Sequence, residues 1–312
     1  MMVRNVAIDI LKLCLSFLVV MLHCHLFQDI NQSVSYLMVN GICRIAVPVF
    51  LVITGYYFFY INDFSKLMKW SKRLLILYLI WMILYSSFWF SYSSLTENIK
   101  SLFWGYFVLW YLIGTFFGGL LVYWIRNYSL AFQISLAALC FVTGYTIQTI
   151  GNLHVFPRET DHFLNEFRNY RNFLMMCFPF IMIGFCINKY KIDRKIKINL
   201  YIILSLFLLL ILESFVHYYF ISHNESLDLL VTLFLIAPAI LIFILKQDVH
   251  SRSKNIATLS TAIYLIHPMI MFEFSKRFDA NNTIVFTTLV LFASITLGYL
   301  LTLLNKRVKY LL

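Results

Sequence analysis

His23, Lys12 and Asp9 fall on one face of the first apolar segment of the chain. His23 follows Asp9 by 14 residues and Lys12 by 11, close to four and three helical turns. Three ionisable groups on one face of a membrane helix are costly unless that face meets protein or water. An imidazole titrates near neutrality, so His23 has the chemistry of a general base. Asp9 and Lys12 stand i,i+3 and can pair. They read either as an ion pair that stabilises a bundle or as a polar entrance that meets an anionic donor. His25 points roughly 200° away from His23 and is the weaker candidate.

Other polar groups recur at a similar depth. Arg44 lies near the start of the second apolar segment, ahead of Pro48 and Gly55. An arginine there either snorkels to lipid phosphate or binds an anion in a cavity. Arg171 opens the sixth segment, which Pro179 and Gly184 interrupt. Glu213 and His217 are spaced i,i+4 in the seventh segment, where Glu213 orients a histidine or pairs with His217. Ser260, Tyr264 and His267 share a broad face of the ninth. The expectation is that His23, Arg44, Arg171, Glu213 and His267 converge.

The elements that must position these groups are membrane helices. The chain has 312 residues, 61% of them hydrophobic, with a mean hydropathy of +0.80. Charged residues make up 12%, against about 25% in a typical soluble domain. The fold class expected is an all-α integral membrane protein, a polytopic bundle of about ten transmembrane helices forming one domain over 1–312. The approximate spans are 5–27, 42–61, 74–92, 104–124, 130–148, 172–188, 199–217, 227–245, 258–274 and 283–304, most near the 20 residues that cross a bilayer. The first carries internal charges and lacks a small-residue cleavage site, so it does not read as a signal peptide.

With a cytoplasmic N terminus, 17 basic residues fall on the cytoplasmic side and six on the other. This bias follows the positive-inside rule and places both termini in the cytoplasm. The net charge of +11 is therefore a topology signal and does not indicate nucleic acid. Six cysteines, Cys14, Cys24, Cys43, Cys140, Cys177 and Cys186, form no Cys-x-x-Cys pair. They read as small buried hydrophobes, with neither a metal site nor a disulfide framework expected. The loop 149–171 is either a small lid or a solvated connection.

The motifs AIDILKLCLSFLVVMLH with Lys12 and His23, CRIAVPVFLVITGYYFF with Arg44, LWYLIG at 109–114, RNFLMMCFPFIMIG at 171–184 and STAIYLIHP at 260–268 occur in order along the chain. Together they resemble the membrane acyltransferase-3 family. Lys12 stands where that family often has arginine, and Leu109 where a polar residue is common. The resemblance implies transfer of an acyl group, usually acetyl from cytoplasmic acetyl-CoA, to a hydroxyl of a surface polysaccharide or lipid-linked sugar. It implies that His23 is essential, with Arg44 next and His267 positioning donor or acceptor; Glu213 is a further catalytic candidate from its place in the seventh segment. Asp9, Lys12, Arg171, Ser260 and Tyr264 are the candidates for binding the donor.

The partners expected are acyl-CoA, a glycan or lipid-linked sugar, and membrane lipids, with a homo-oligomer as a further option. The location expected is the bacterial plasma (inner) membrane. No metal is expected, because attack on a thioester needs none. A polysaccharide or small-molecule exporter is the alternative, since broken helices and internal charges also suit transporters. A membrane sensor or scaffold is a third reading.

Overall fold

Apolar runs punctuated by small polar caps set the helices in the computed structural model, which describes residues 4–90, 94–247, 249–251, 255–308 and 310–312. Arg252, Lys254 and Lys309, counted above on the cytoplasmic side, lie outside them, as does the side chain of Arg4. The helices are α1 (Ala7–His23), α2 (Gln32–Asn40), α3 (Ala46–Phe58), α4 (Phe64–Leu84), α5 (Ser86–Trp89), α6 (Leu95–Trp104), α7 (Trp110–Ile125) and α8 (Leu130–Gly151). They continue with α9 (Arg158–Asn165), α10 (Phe178–Lys189), α11 (Ile192–Lys195), α12 (Leu200–Phe220), α13 (Val231–Leu245), α14 (Asn255–Ser275) and α15 (Thr283–Leu304). A two-residue antiparallel pairing of Arg4–Asn5 with His250–Ser251 is the one strand pairing among the described residues.

Side chains of Asn31, Asp63, Ser94, Ser129, Asn199 and Asn282 accept backbone N–H groups at the starts of α2, α4, α6, α8, α12 and α15. Each satisfies a donor that a helix leaves open at its N-terminus.

Six helical stretches among the described residues are long and apolar enough to cross a membrane, not the ten or so expected. They are Gln32–Phe58, Phe107–Ile125, Leu130–Gly151, Leu200–Phe220, Asn255–Ser275 and Thr283–Leu304. The differences have local causes. The expected span 5–27 contains a helix of 17 residues, because the chain leaves it at Cys24 and turns through left-handed backbone at His25 and Phe27. The third expected span starts earlier than 74. It begins at Phe64, carries Lys66, Lys69, Lys72 and Arg73 in its first turns, and stops at Leu84. The eighth shrinks to the 15 residues of α13, with Pro238 inside it.

The sixth expected span is divided into a π-helical turn, Phe173–Cys177, and the 12-residue α10. Phe178 through Asn188 are all buried. This segment is apolar all round because protein surrounds it.

Helix α10 crosses α3 at backbone contact. A Cβ on Gly184 would lie 2.0 Å from the Val52 carbonyl oxygen, and one on Gly55 would lie 1.9 Å from that of Ile181. Only glycine fits both sides of this crossing, a use of small residues common between membrane helices. Gly184→Ala is expected to destabilise the protein by about 3 kcal/mol through overpacking. Thermal unfolding in detergent checks this, and an unchanged midpoint would mean that the crossing gives way freely.

Candidate active site

The 3-10 turn Ile42–Ile45 interrupts the second span after Gly41 and carries Arg44. Pro48 then sits in the first turn of α3, where its missing N–H costs little. The Arg44 guanidinium forms an ion pair with Asp228 through Nη1 and donates to Asn40 Oδ1 at 3.0 Å through Nη2. Asn40 Oδ1 also accepts the Leu227 backbone N–H at 3.1 Å. Arg171 Nη1 approaches both oxygens of the same Asp228 at 3.4 Å. Its guanidinium lies over the rings of Phe167 and Trp110, at 4.4 and 5.3 Å from their centroids, in cation–π geometry.

The segment holding Asp228 is extended and pinned at its backbone. Gln148 Oε1 accepts the N–H groups of Asp228 and Leu229 at 2.7 and 3.0 Å, and Gln148 Nε2 donates to the Leu229 carbonyl at 2.8 Å. Two arginines thus share one buried carboxylate, whose side chain is 4% exposed. This leaves an excess of positive charge at the base of the site.

His23 ends α1 beside this group. Its ring stacks on that of His267 at 5.5 Å between centroids and lies tilted by 43° against Phe107 at 4.6 Å. His267 is fully buried. Its Nδ1 lies 3.2 Å from the Ile263 carbonyl. A carbonyl only accepts, so Nδ1 holds the ring proton and Nε2 is left an acceptor. Nε2 is buried without a hydrogen-bond partner. Phe107 reaches His23 from a turn with left-handed backbone at Gly105 (φ 82°) and Phe107 (φ 47°). A phenylalanine held in that region stores strain, a recurrent trait of functional sites. The Tyr264 hydroxyl steadies the turn by donating to the Val108 carbonyl at 2.9 Å.

A cavity of about 590 Å³ opens above these residues, lined among others by His23, His25, Arg44, Trp110, Arg168 and Arg171. Three smaller cavities continue toward the basic end of α4. The first, about 40 Å³, lies between His23, Asp228 and Tyr264. The second, about 120 Å³, lies between Tyr264, Ser260 and Lys12. The third, about 430 Å³, is lined by Lys12, Arg73 and Thr261. Neighbouring cavities share lining residues along the whole series.

The structure therefore brings together His23, Arg44, Arg171 and His267. Lys12, Ser260 and Tyr264 lie further along the same series, and Ser260 Oγ donates to the Lys12 carbonyl at 2.7 Å. Asp9 is buried on α1. Glu213 stands apart. Its carboxylate accepts the N–H groups of Val231 and Thr232 at 2.6 and 2.8 Å, closing the open end of α13. His217 meets the Tyr36 hydroxyl at 3.1 Å. Asp228, Asn40 and Gln148 were not singled out from sequence. The amide of Asn40 one turn before Arg44 is a signal that could have led to them.

The 149–171 loop forms α9 and a 3-10 turn, Phe167–Asn169, that delivers Phe167, Arg168 and Arg171 to the cavity wall. His154 joins it to the segment before Asp228, with Nδ1 at 3.0 Å from Asp161 and Nε2 at 3.4 Å from Glu225. The hydrogen bond with the Asp161 carboxylate raises the His154 pKa above its usual value. Stabilisation from a raised histidine pKa is complete below the ordinary histidine range and is lost as pH rises through the raised value. Protection factors of the α9 amides, corrected for the intrinsic pH dependence of exchange, are expected to fall across that window, and His154→Gln should remove that fall.

Spanning helices around a histidine pair and an arginine-rich cavity define a multi-pass membrane protein with a polar chamber inside its bundle. A family model described as an acyltransferase domain matches residues 5–303. The chain belongs to this family, the membrane acyltransferase-3 family, and is a multi-pass protein of the plasma membrane. It is 25% identical over 98% of its length to an amino-acid racemase of Enterococcus faecalis, covering 47% of that protein. It is also 25% identical over 85% of its length to a serine/alanine racemase of Enterococcus gallinarum, covering 40% of it. The chain thus spans less than half of each of these relatives. No solved structure matches it significantly.

Proposed function

We propose that this protein transfers an acetyl group from cytoplasmic acetyl-CoA to a hydroxyl of a surface polysaccharide or lipid-linked sugar. The observation that carries this reading is the stacked His23–His267 pair, with His23 beside Arg44 and Arg171 on a cavity large enough for a sugar. In the proposed reaction His23 removes the proton of the acceptor hydroxyl. The oxygen attacks the thioester carbonyl, Arg44 stabilises the resulting oxyanion, and collapse expels the CoA thiolate, which takes the proton. His267 orients the His23 ring by stacking against it. Lys12 and Arg73 at the basic end of the cavity series would hold the donor's phosphates.

Racemisation is not proposed, because the chain covers less than half of the relatives so named. The test is labelling of membrane glycans from radioactive acetyl-CoA by the purified protein. Label in the glycan that depends on the protein supports the reading. An acyl content unchanged on deletion of the gene, together with transport by the His23→Ala variant, would favour an exporter.

A further inference from the structure

A second cavity, about 370 Å³ and mainly apolar, lies against the first. Phe117 on α7 and Phe173 and Leu174 in the π-helical turn line it, and these side chains are 36–41% exposed on the outside of the bundle. It shares Trp104, Trp110, Arg168 and Arg171 with the polar cavity. The shared wall is thus two indole rings and two guanidinium groups, with an apolar cleft on one side and the His23 chamber on the other.

The guanidinium groups on that wall keep hydrogen-bonding capacity, although carboxylates stand near both. The lining of the polar cavity includes Arg44, Arg168 and Arg171 and no carboxylate. Arg171 shares Asp228 with Arg44, and its Nε is buried without a hydrogen-bond partner. Arg168 meets Glu97 and Glu166 at 3.8 Å, too long for hydrogen bonds. An apolar channel, then two arginines, then a polar chamber is the order of parts in one kind of molecule: a hydrocarbon chain, a phosphate and a sugar. Arginine suits the phosphate because its planar fork matches phosphate oxygens. A single cleft of about 370 Å³ has room for the leading part of one chain, whereas a diacyl phospholipid would bring two.

We propose that the cleft between α7 and the π-helical turn holds the chain of a polyprenyl-phosphate-linked sugar, with its phosphate on Arg168 and Arg171 and its sugar facing His23. This rests on the acyl-transfer reading of the same cavity and narrows the acceptor to a lipid-linked one that enters sideways from the bilayer.

Native mass spectrometry of the purified full chain in detergent tests it. The probes are a polyprenyl-phosphate-linked hexose, the same hexose phosphate without a chain, the uncharged polyprenyl hexoside, and phosphatidylglycerol. The first is expected to be retained at least tenfold more tightly than each of the others. Leu174→Trp, which fills the cleft, and Arg168→Gln, which removes a phosphate ligand, are each expected to weaken it about tenfold. Equal retention of the chainless phosphate, equal competition by phosphatidylglycerol, or variants that bind like the parent would overturn the proposal. Selective binding without acetyl transfer in the same preparation would leave this site standing and remove the acyltransferase reading. Acetyl transfer to a chainless sugar without selective binding would do the reverse.

Discussion

His23→Ala is expected to reduce acyl transfer by about 10²–10⁴-fold, the range a positioned general base contributes. The loss should fall on turnover rather than on donor affinity, because Lys12 and Arg73 lie at the far end of the cavity series from His23. The fold should survive, since His23 ends its helix and borders open space. Acetyl transfer kinetics and thermal unfolding of the same preparation separate the two effects. A variant that keeps more than a tenth of the parental rate would take His23 out of the chemistry. His267→Gln provides the contrast. Glutamine can still donate to the Ile263 carbonyl but does not reproduce the stacked ring. A smaller loss than at His23 is expected if His267 only orients its neighbour.

The second large effect is expected at Asp228. Asp228→Asn keeps the shape of the side chain but leaves Arg44 and Arg171 facing one another over a neutral amide. Removing one partner of a buried ion pair costs about 3–5 kcal/mol, and here two cations lose their counter-ion at once. The variant should unfold at a clearly lower temperature in detergent. Arg44→Met combined with Asp228→Asn should recover part of that loss, because one of the two opposed charges is then gone. If Asp228→Asn melts with the parent, the carboxylate is not what holds the two arginines together.

The site was more legible in the sequence than the architecture. His23, Arg44, Arg171 and His267 announce themselves because ionisable side chains inside apolar runs are costly, and the structure gathers all four. Glu213 obeys the same logic yet serves the backbone of α13. Nothing along the chain distinguishes a carboxylate that caps a neighbouring helix from one that faces a substrate. Asp228 escaped because it sits at the edge of an apolar run and gains its role from Arg44, 184 residues away, and Gln148, 80 residues away. Hydropathy also cannot tell an apolar helix facing lipid from one enclosed by protein. The residues of α10 are as apolar as a span, but protein surrounds them. A π-helical turn and left-handed residues shorten other segments that read as continuous.

The narrowest point of the cavity series, the chamber of about 40 Å³ between His23 and Tyr264, has a bearing on the energetics of the cell. A passage that admits a donor from one side and an acceptor from the other would, if open throughout, also conduct protons and ions. A chamber of that size holds no more than a few water molecules, and two arginines with the single Asp228 they share border it, leaving a net positive charge. Fixed positive charge repels hydronium and metal cations alike. On the proposed acyl-transfer reading the constriction would work as an electrical seal between two aqueous compartments, so that passing an acyl group from one to the other would not discharge the membrane potential.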